Sequence, residues 1–357
     1  MSEETKYKKL VIFDANIPEL GGNKLFIPEL AYKISHTILP VCHLYETAES
    51  RGIKFITPDV YLQMENKPRA FLFSHLYSAV SNDLVSNFGD KVKPLVLMCQ
   101  ESPFIATNFY VRLFQISKKF KHSFVFSGME RRLNKTTVYH QMFFPSPYGI
   151  KDFNPVNFND KQFITMVSGA KSIGNWKKNL ILKILYGLSV KEIYQERLKA
   201  IRFFAAKEGF DLYGRGWDKA PFKESYKEAI AKSYQGAVDD KFKILKGFKF
   251  TICFENSIFP GYITEKIFDA IFAGSIPIYL GAPDIKKYVP ADVFIDFRDF
   301  KNYNDLYNFI LSIDEEKYNN YLKAMRSFIV SDDYKKFSQE YFADRMLDII
   351  EDGFDKK

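Results

Sequence analysis

Residues 249–283 constrain this chain more than any other stretch: Lys-Phe-Thr-Ile-Cys-Phe-Glu-Asn-Ser-Ile-Phe-Pro-Gly-Tyr-Ile-Thr-Glu-Lys-Ile-Phe-Asp-Ala-Ile-Phe-Ala-Gly-Ser-Ile-Pro-Ile-Tyr-Leu-Gly-Ala-Pro. The apolar run Phe250 to Phe254 is too short for a helix and too continuous for a half-exposed strand, so it reads as a strand buried on both faces. Glu255, Asn256 and Ser257 follow at its C-terminal end, and Pro260-Gly261 breaks the chain before a helix that starts near Thr264. Ile263, Ile267, Phe268, Ile271 and Phe272 fall on one stripe, and Gly274 supplies the stop. With the strand Ile276 to Leu280 the segment forms a strand-helix-strand unit, which requires a parallel sheet covered by helices. Such folds bind anionic ligands where a strand end faces a helix start.

Polar groups collect at that place. If the first helical turn reaches back to Tyr262, then Tyr262, Glu265 and Lys266 share one neighbourhood beside the unpaired backbone N–H groups. A plainer reading has Glu265 complementing the helix dipole and Lys266 solvated. Glu255 likewise has two readings, contact with a ligand or fastening of the loop.

Strand and helix patterns alternate along the whole chain, which favours parallel α/β. A length of 357 residues fits about two domains. Strands are expected at Leu10 to Phe13, near Phe55, at Phe71 to Phe73, Leu95 to Met98 and Ser123 to Phe126, with a helix from Ile105 to Lys119. The breaker-rich stretch Pro145 to Pro155 marks a linker, so residues 1–155 form a first domain and residues 156–335 a second. The second opens with the strand Phe163 to Val167 and includes another at Asp211 to Tyr213. Residues 336–357 form a last helix expected to cross back to the first domain.

The opening Met1 to Lys9 is polar and carries no signal peptide, and apolar stretches end well before the roughly 18 to 20 residues of a membrane span. The expected location is the cytoplasm. The 3 cysteines, Cys42, Cys99 and Cys253, sit singly in apolar contexts and read as reduced core thiols. The 5 histidines show no ligand spacing, and no Asp-x-Asp occurs, so no metal site is expected. A net charge of +8 admits an anionic partner: nucleic acid, a phosphorylated ligand, or peripheral contact with an anionic membrane face. The middle of the chain is most basic, with Lys171, Lys177, Lys178, Lys183, Lys191, Lys199 and Lys207. The aromatic residues are spread through apolar segments rather than interleaved with basic ones, which argues against nucleic acid.

Phe-Glu-Asn-Ser followed by Tyr-Ile-Thr-Glu-Lys, then Ala-Gly-Ser-Ile-Pro-Ile-Tyr-Leu-Gly-Ala-Pro, resembles the signature of the α1,3/α1,4-fucosyltransferases, glycosyltransferase family 10. The likeness runs from Lys249 to Phe300 and includes Tyr288-Val289-Pro290 and Phe294-Ile295-Asp296. It implies a GT-B fold, with two Rossmann-like domains facing each other across a cleft, an N-terminal one for the acceptor and a C-terminal one for the donor. It also implies transfer of fucose from GDP-fucose to a hydroxyl of an oligosaccharide or lipopolysaccharide-type glycan, with inversion and an α1,3 linkage.

By the same resemblance Arg197, one helix and a short turn before Asp211-Leu212-Tyr213-Gly214, takes the phosphate role, and Asn256 and Tyr262 hold the nucleotide. Lys266 joins Arg197 in neutralising the pyrophosphate without a divalent metal, and no other cofactor is expected. Glu265 lies near the ribose or sugar ring. Glu-Ser-Pro, directly after the Leu95 to Met98 strand, resembles the acceptor-domain motif and makes Glu101 the general base. Some bacterial members carry a further glutamate where this chain has Cys99. Two alternatives remain: the same mechanism with another GDP-deoxysugar or a different acceptor, and a non-catalytic carbohydrate- or nucleic-acid-binding protein.

Overall fold

The computed structural model describes residues 9–80, 88–171, 180, 183, 184 and 190–355, and in it the apolar runs become two wholly parallel sheets in two units. Of the basic stretch, Lys177 and Lys178 lie outside the described residues; Lys171, Lys183, Lys191 and Lys199 are exposed.

The first unit comprises Met1–Pro147 and Lys336–Lys357. Its strands are β1 (Lys9–Asp14), β2 (Ile53–Ile56), β3 (Ala70–His75), β4 (Val92–Met98), β5 (His122–Val125) and β6 (Val138–Gln141), in the spatial order β2-β1-β3-β4-β5-β6. Leu10, Ile12, Phe55, Leu72, Phe73, Val96 and Leu97 are buried to within a few per cent, as a sheet covered on both faces demands. The expected helix from Ile105 to Lys119 is two short helices, Thr107–Val111 and Leu113–Ser117. They part at Arg112, whose φ of −105° and ψ of 6° leave the helical region and whose Nη1 donates to the Val80 carbonyl at 3.0 Å. The last helix, Gln339–Asp355, belongs to this unit. It buries Phe342, Met346, Leu347 and Ile350 and packs on the helix Leu39–Ser50, with Arg51 paired to Asp344 at 3.2 Å.

The second unit is Tyr148–Lys335. Residues 148–155 are part of it: the Tyr148 ring stacks on Phe242 at 4.9 Å, and Pro155 packs against Gly274. Its strands are β7 (Gln162–Val167), β8 (Lys191–Glu192), β9 (Phe210–Tyr213), β10 (Phe248–Phe254), β11 (Ser257–Ile258), β12 (Ile276–Leu280) and β13 (Ile295–Asp296). Five of them make the sheet β13-β12-β10-β7-β9, while β8 and β11 pair antiparallel beside it. From β7 the chain first goes to β9 on one side and then to β10 on the other. The switch point therefore lies between β7 and β10, and a ligand crevice is expected beyond their C-terminal ends.

The helix Glu265–Phe272 buries Ile267, Phe268, Ile271 and Phe272 and ends at Gly274, whose φ of +62° is the left-handed closing conformation. Below it Lys161 is buried, its Nζ donating to the carbonyls of Lys246 at 2.7 Å, Gly274 at 3.0 Å and Phe248 at 3.3 Å. Lys246 and Gly274 stand at helix ends and Phe248 opens β10, so one lysine fastens two helix ends to the strand between them.

Candidate active site

Beyond β10 the backbone must turn, and the groups that stop it fraying are the polar ones singled out above. Glu255 has no exposed surface, and its Oε1 accepts from the Thr264 N–H at 2.8 Å while Oε2 accepts from the Thr264 hydroxyl at 2.8 Å and from Lys266 Nζ at 3.2 Å. Thr264 occupies the cap position of the helix without capping it, because its hydroxyl proton goes to Glu255 and its lone pair takes a bond from Lys266 at 2.9 Å. Lys266 completes its three bonds with Glu265 Oε1 at 3.2 Å. Burial works against the charged ammonium, but Glu255 and then Glu265 outweigh it, and the pKa of Lys266 is raised. Gly281 makes room for this arrangement: a Cβ there would run into the Tyr279 ring and lie 2.5 Å from Glu255 Cγ.

Arg197, on the helix Tyr194–Phe204, is 3% exposed. Its Nε and Nη2 both donate to the Phe254 carbonyl, at 3.1 and 2.6 Å, and Nη2 also to Asn256 Oδ1 at 3.0 Å. Nη1 has no partner among the described residues. Burial lowers the guanidinium pKa, yet an arginine stays protonated. Asn256 is fixed from both ends, since its Nδ2 donates to Tyr262 Oη at 3.1 Å.

The helix starts at Glu265, not at Tyr262. Gly261, at φ +68°, and an extended Thr264 place a turn there, so helical spacing does not bring Tyr262 to Lys266. Tyr262 reaches the cluster through Asn256 instead.

The structure thus gathers two hydrogen-bonded sets at the ends of β10 and the following helix, Arg197 with Asn256 and Tyr262, and Glu255 with Thr264, Lys266 and Glu265. Sequence reasoning did not single out Lys241, whose Nζ meets Asp269 Oδ2 at 2.8 Å, with Asp269 2% exposed. Ser168 directly follows β7. Ser168, Arg197, Lys241, Phe254 and Lys266 line one small pocket at the switch point. Lys241 carries a local signal, the capping Asp240 before it, but its partner is visible only once the two helices are placed side by side. Lys171 is exposed and is not among the residues lining this pocket.

Glu101 stands in the first unit, just after β4, half-buried. Its carbonyl accepts from Tyr110 Oη at 2.9 Å, and Tyr110 also meets the Cys99 thiol at 2.8 Å, which pins the backbone around it. Cys99 has no exposed surface, and burial pushes its thiol up to about 12, so it packs and does not react. All three cysteines are buried and free. No group of three or more His, Cys, Asp or Glu able to hold a metal ion occurs among the described residues, and no helix among them is long and apolar enough to cross a membrane.

Two units with parallel sheets, and a polar pocket at a strand-order reversal, are the fold of the GT-B glycosyltransferases. The structure is similar to that of Anabaena HepE in complex with UDP and glucose, with a TM-score of 0.60 and 11% identity over 96% of this chain and 99% of that one. It is also similar to an alpha1,3-fucosyltransferase with GDP-fucose, with a TM-score of 0.50 and 18% identity over 98% and 93%. Residues 177–349 match the model for glycosyltransferase family 10 (fucosyltransferase), C-terminal part. That match takes in a little under half of this chain.

Among curated proteins it is 41% identical over 131 residues to the alpha-(1,3)-fucosyltransferase FucT of Helicobacter pylori, covering 33% of this chain and 27% of that protein. It is 38% identical over 87 residues to the mouse 4-galactosyl-N-acetylglucosaminide 3-alpha-L-fucosyltransferase 9, covering 23% and 24%. These alignments span about a quarter of the length of those relatives.

Proposed function

We propose that the protein transfers L-fucose from GDP-fucose to a hydroxyl of a glycan, at O3 of N-acetylglucosamine or glucose, by a single inverting displacement. The observation that carries this reading is the pocket at the switch point. There Arg197, anchored through Nε and Nη2, keeps Nη1 unpartnered beside Lys266, within the segment that matches family 10. A departing diphosphate needs cations held in place beforehand, and Arg197, anchored on a backbone carbonyl, with Lys266, anchored on Glu255, meets that need.

In this mechanism Arg197 Nη1 and Lys266 Nζ receive the diphosphate. Lys266 has no spare proton in the structure, so it exchanges its bond to Glu265 for one to a phosphate oxygen, and the freed Glu265 carboxylate turns to the ribose or sugar ring. Asn256 and Tyr262 serve donor binding by holding Arg197, and Glu255 by holding Lys266. Glu101 takes the proton of the acceptor hydroxyl as its oxygen attacks the anomeric carbon; the bond to the GDP oxygen breaks with its electron pair, and GDP leaves. The positive charge building on the sugar ring is met by Glu265. We assign the reaction no divalent metal; in this reading the Lys266 and Arg197 cations take over neutralisation of the diphosphate. The setting we infer is the cytoplasm, with the exposed lysines of the basic stretch mostly a solvated surface.

The test is release of GDP from a panel of GDP-sugars, with and without N-acetyllactosamine and lactose, and with EDTA present. Release that needs GDP-fucose and acceptor and survives EDTA supports the reading. Release only from another GDP-deoxysugar replaces the donor, and GDP binding without release from any donor points to a non-catalytic protein.

A further inference from the structure

Beyond β4 the chain leaves the sheet, and its carbonyls need donors other than the ladder. Cys99 still gives its N–H to the Phe124 carbonyl at 2.9 Å, continuing the pairing of β4 with β5. Further on, the Ser102 carbonyl accepts from the N–H groups of Ile105 and Ala106, both at 3.0 Å, and the carbonyls of Pro103 and Phe104 accept from the Thr107 hydroxyl, both at 3.1 Å. Those are local turns. The Glu101 carbonyl is held differently, by the phenol of Tyr110, which stands 9 residues on and donates at 2.9 Å.

Tyr110 is itself immobilised. It is 2% exposed on the helix Thr107–Val111, its ring meets Phe109 edge-on at 5.3 Å between centroids, and its Oη lies 2.8 Å from Cys99 Sγ. A phenol has a single proton and this one goes to the Glu101 carbonyl, so the thiol is the donor toward Oη. Burial raises the pKa of both groups, which keeps both protons in place near neutral pH. Cys99 S–H, Tyr110 O–H and the Glu101 carbonyl therefore form one chain of hydrogen bonds in which each link strengthens the next.

The phenol fixes the direction of the Glu101 peptide plane, and with it the Cα–Cβ vector that sets where the carboxylate reaches. Proton transfer needs heavy atoms about 2.6–3.2 Å apart, and a misplacement of about 1 Å costs roughly a hundredfold in rate. A base carried on a loop needs its support from a rigid neighbour. We propose that Tyr110, held in turn by Cys99, is a positioning residue for Glu101. This rests on the reading of Glu101 as the base in fucosyl transfer.

The experiment measures single-turnover transfer from GDP-fucose to N-acetyllactosamine for Tyr110→Phe, made both in the wild type and in Glu101→Gln. With Glu101 present, the maximal rate should fall about ten- to a hundredfold. The half-saturating acceptor concentration and GDP affinity should stay within about twofold. In the Glu101→Gln background the same substitution should change the rate by less than about twofold, because no base is left to displace. A merely structural role gives the same loss in both backgrounds. That result overturns the inference, as does an unchanged rate with Glu101 present or a matching loss of GDP affinity. If Tyr110→Phe does not fold, Cys99→Ala is compared in the same two backgrounds, with a loss of about two- to fivefold expected only where Glu101 is present. Failure of the underlying reading looks different: the wild type transfers no fucose, or Glu101→Gln is as fast as the wild type. In the first event a crystal structure of Tyr110→Phe decides, since a Glu101 shifted by about 1 Å upholds the positioning role and an unmoved one removes it. In the second the base lies elsewhere, and the inference is overturned with it.

Discussion

Replacing Lys266 by methionine separates what this lysine does for the fold from what it does for a ligand. Glu255 is fully buried and Lys266 half-buried, with side-chain exposures of 0% and 16%, so solvent screens the pair little. Removing the ammonium leaves a carboxylate buried with only Thr264 as partner, which should cost about 3–5 kcal/mol. At about 2–4 °C per kcal/mol for a unit of this size, the melting temperature should fall by about 6–20 °C. Glu255→Gln added to Lys266→Met removes the stranded charge and should recover half or more of the loss. GDP affinity should behave otherwise: losing one charge-assisted contact costs about 1.5–3 kcal/mol, roughly ten- to a hundredfold, and the double variant should not regain it. Scanning fluorimetry reads the first effect and titration calorimetry the second. A melting temperature within about 2 °C of wild type, or GDP affinity that returns in the double variant together with stability, would refute the reasoning.

Glu101→Gln should bind GDP as the wild type does and lose acceptor-dependent turnover by about 10²–10⁴-fold; single-turnover rates check this, and unchanged turnover puts the base elsewhere. Burial, and then Lys246, pulls the pKa of Lys161 down to about 7 from 10.5. Between those values the unfolded chain holds a proton that the folded chain lacks, so stability should rise with pH from about 7 to about 10.5, and melting curves of Lys161→Met should show a flatter profile. Gly281→Ala pushes on Glu255 and Tyr279 and should lower stability by about 1–3 kcal/mol while weakening GDP binding, which denaturant melts and calorimetry measure together.

Much of the fold was legible because burial on both faces leaves a plain mark. Phe250 to Phe254 and Ile276 to Leu280 are unbroken apolar runs, and the observed strands extend the first by two residues at its start and reproduce the second. The strand β6 escaped notice for the opposite reason: Val138 and Tyr139 are exposed on the sheet edge, so the segment has no apolar run to display. The helix Glu315–Ile329 left its stripe at Tyr318, Met325, Phe328 and Ile329, yet charged and amide residues crowd the other faces and dilute the signal.

At the site, residue types were readable and partners were not. The Thr264 hydroxyl looks like an ordinary helix cap in sequence, and only the position of Glu255 shows that it serves Lys266 instead. Lys241 and Asp269 lie on different helices, and no periodicity joins them.

The central claim is that Arg197 and Lys266 are prearranged to receive a diphosphate, and a crystal structure of the GDP complex tests it most directly. The account predicts diphosphate oxygens within hydrogen-bond distance of Arg197 Nη1 and Lys266 Nζ, with Glu265 released from Lys266. A diphosphate bound away from both side chains, with the Glu265–Lys266 bond intact, would contradict it.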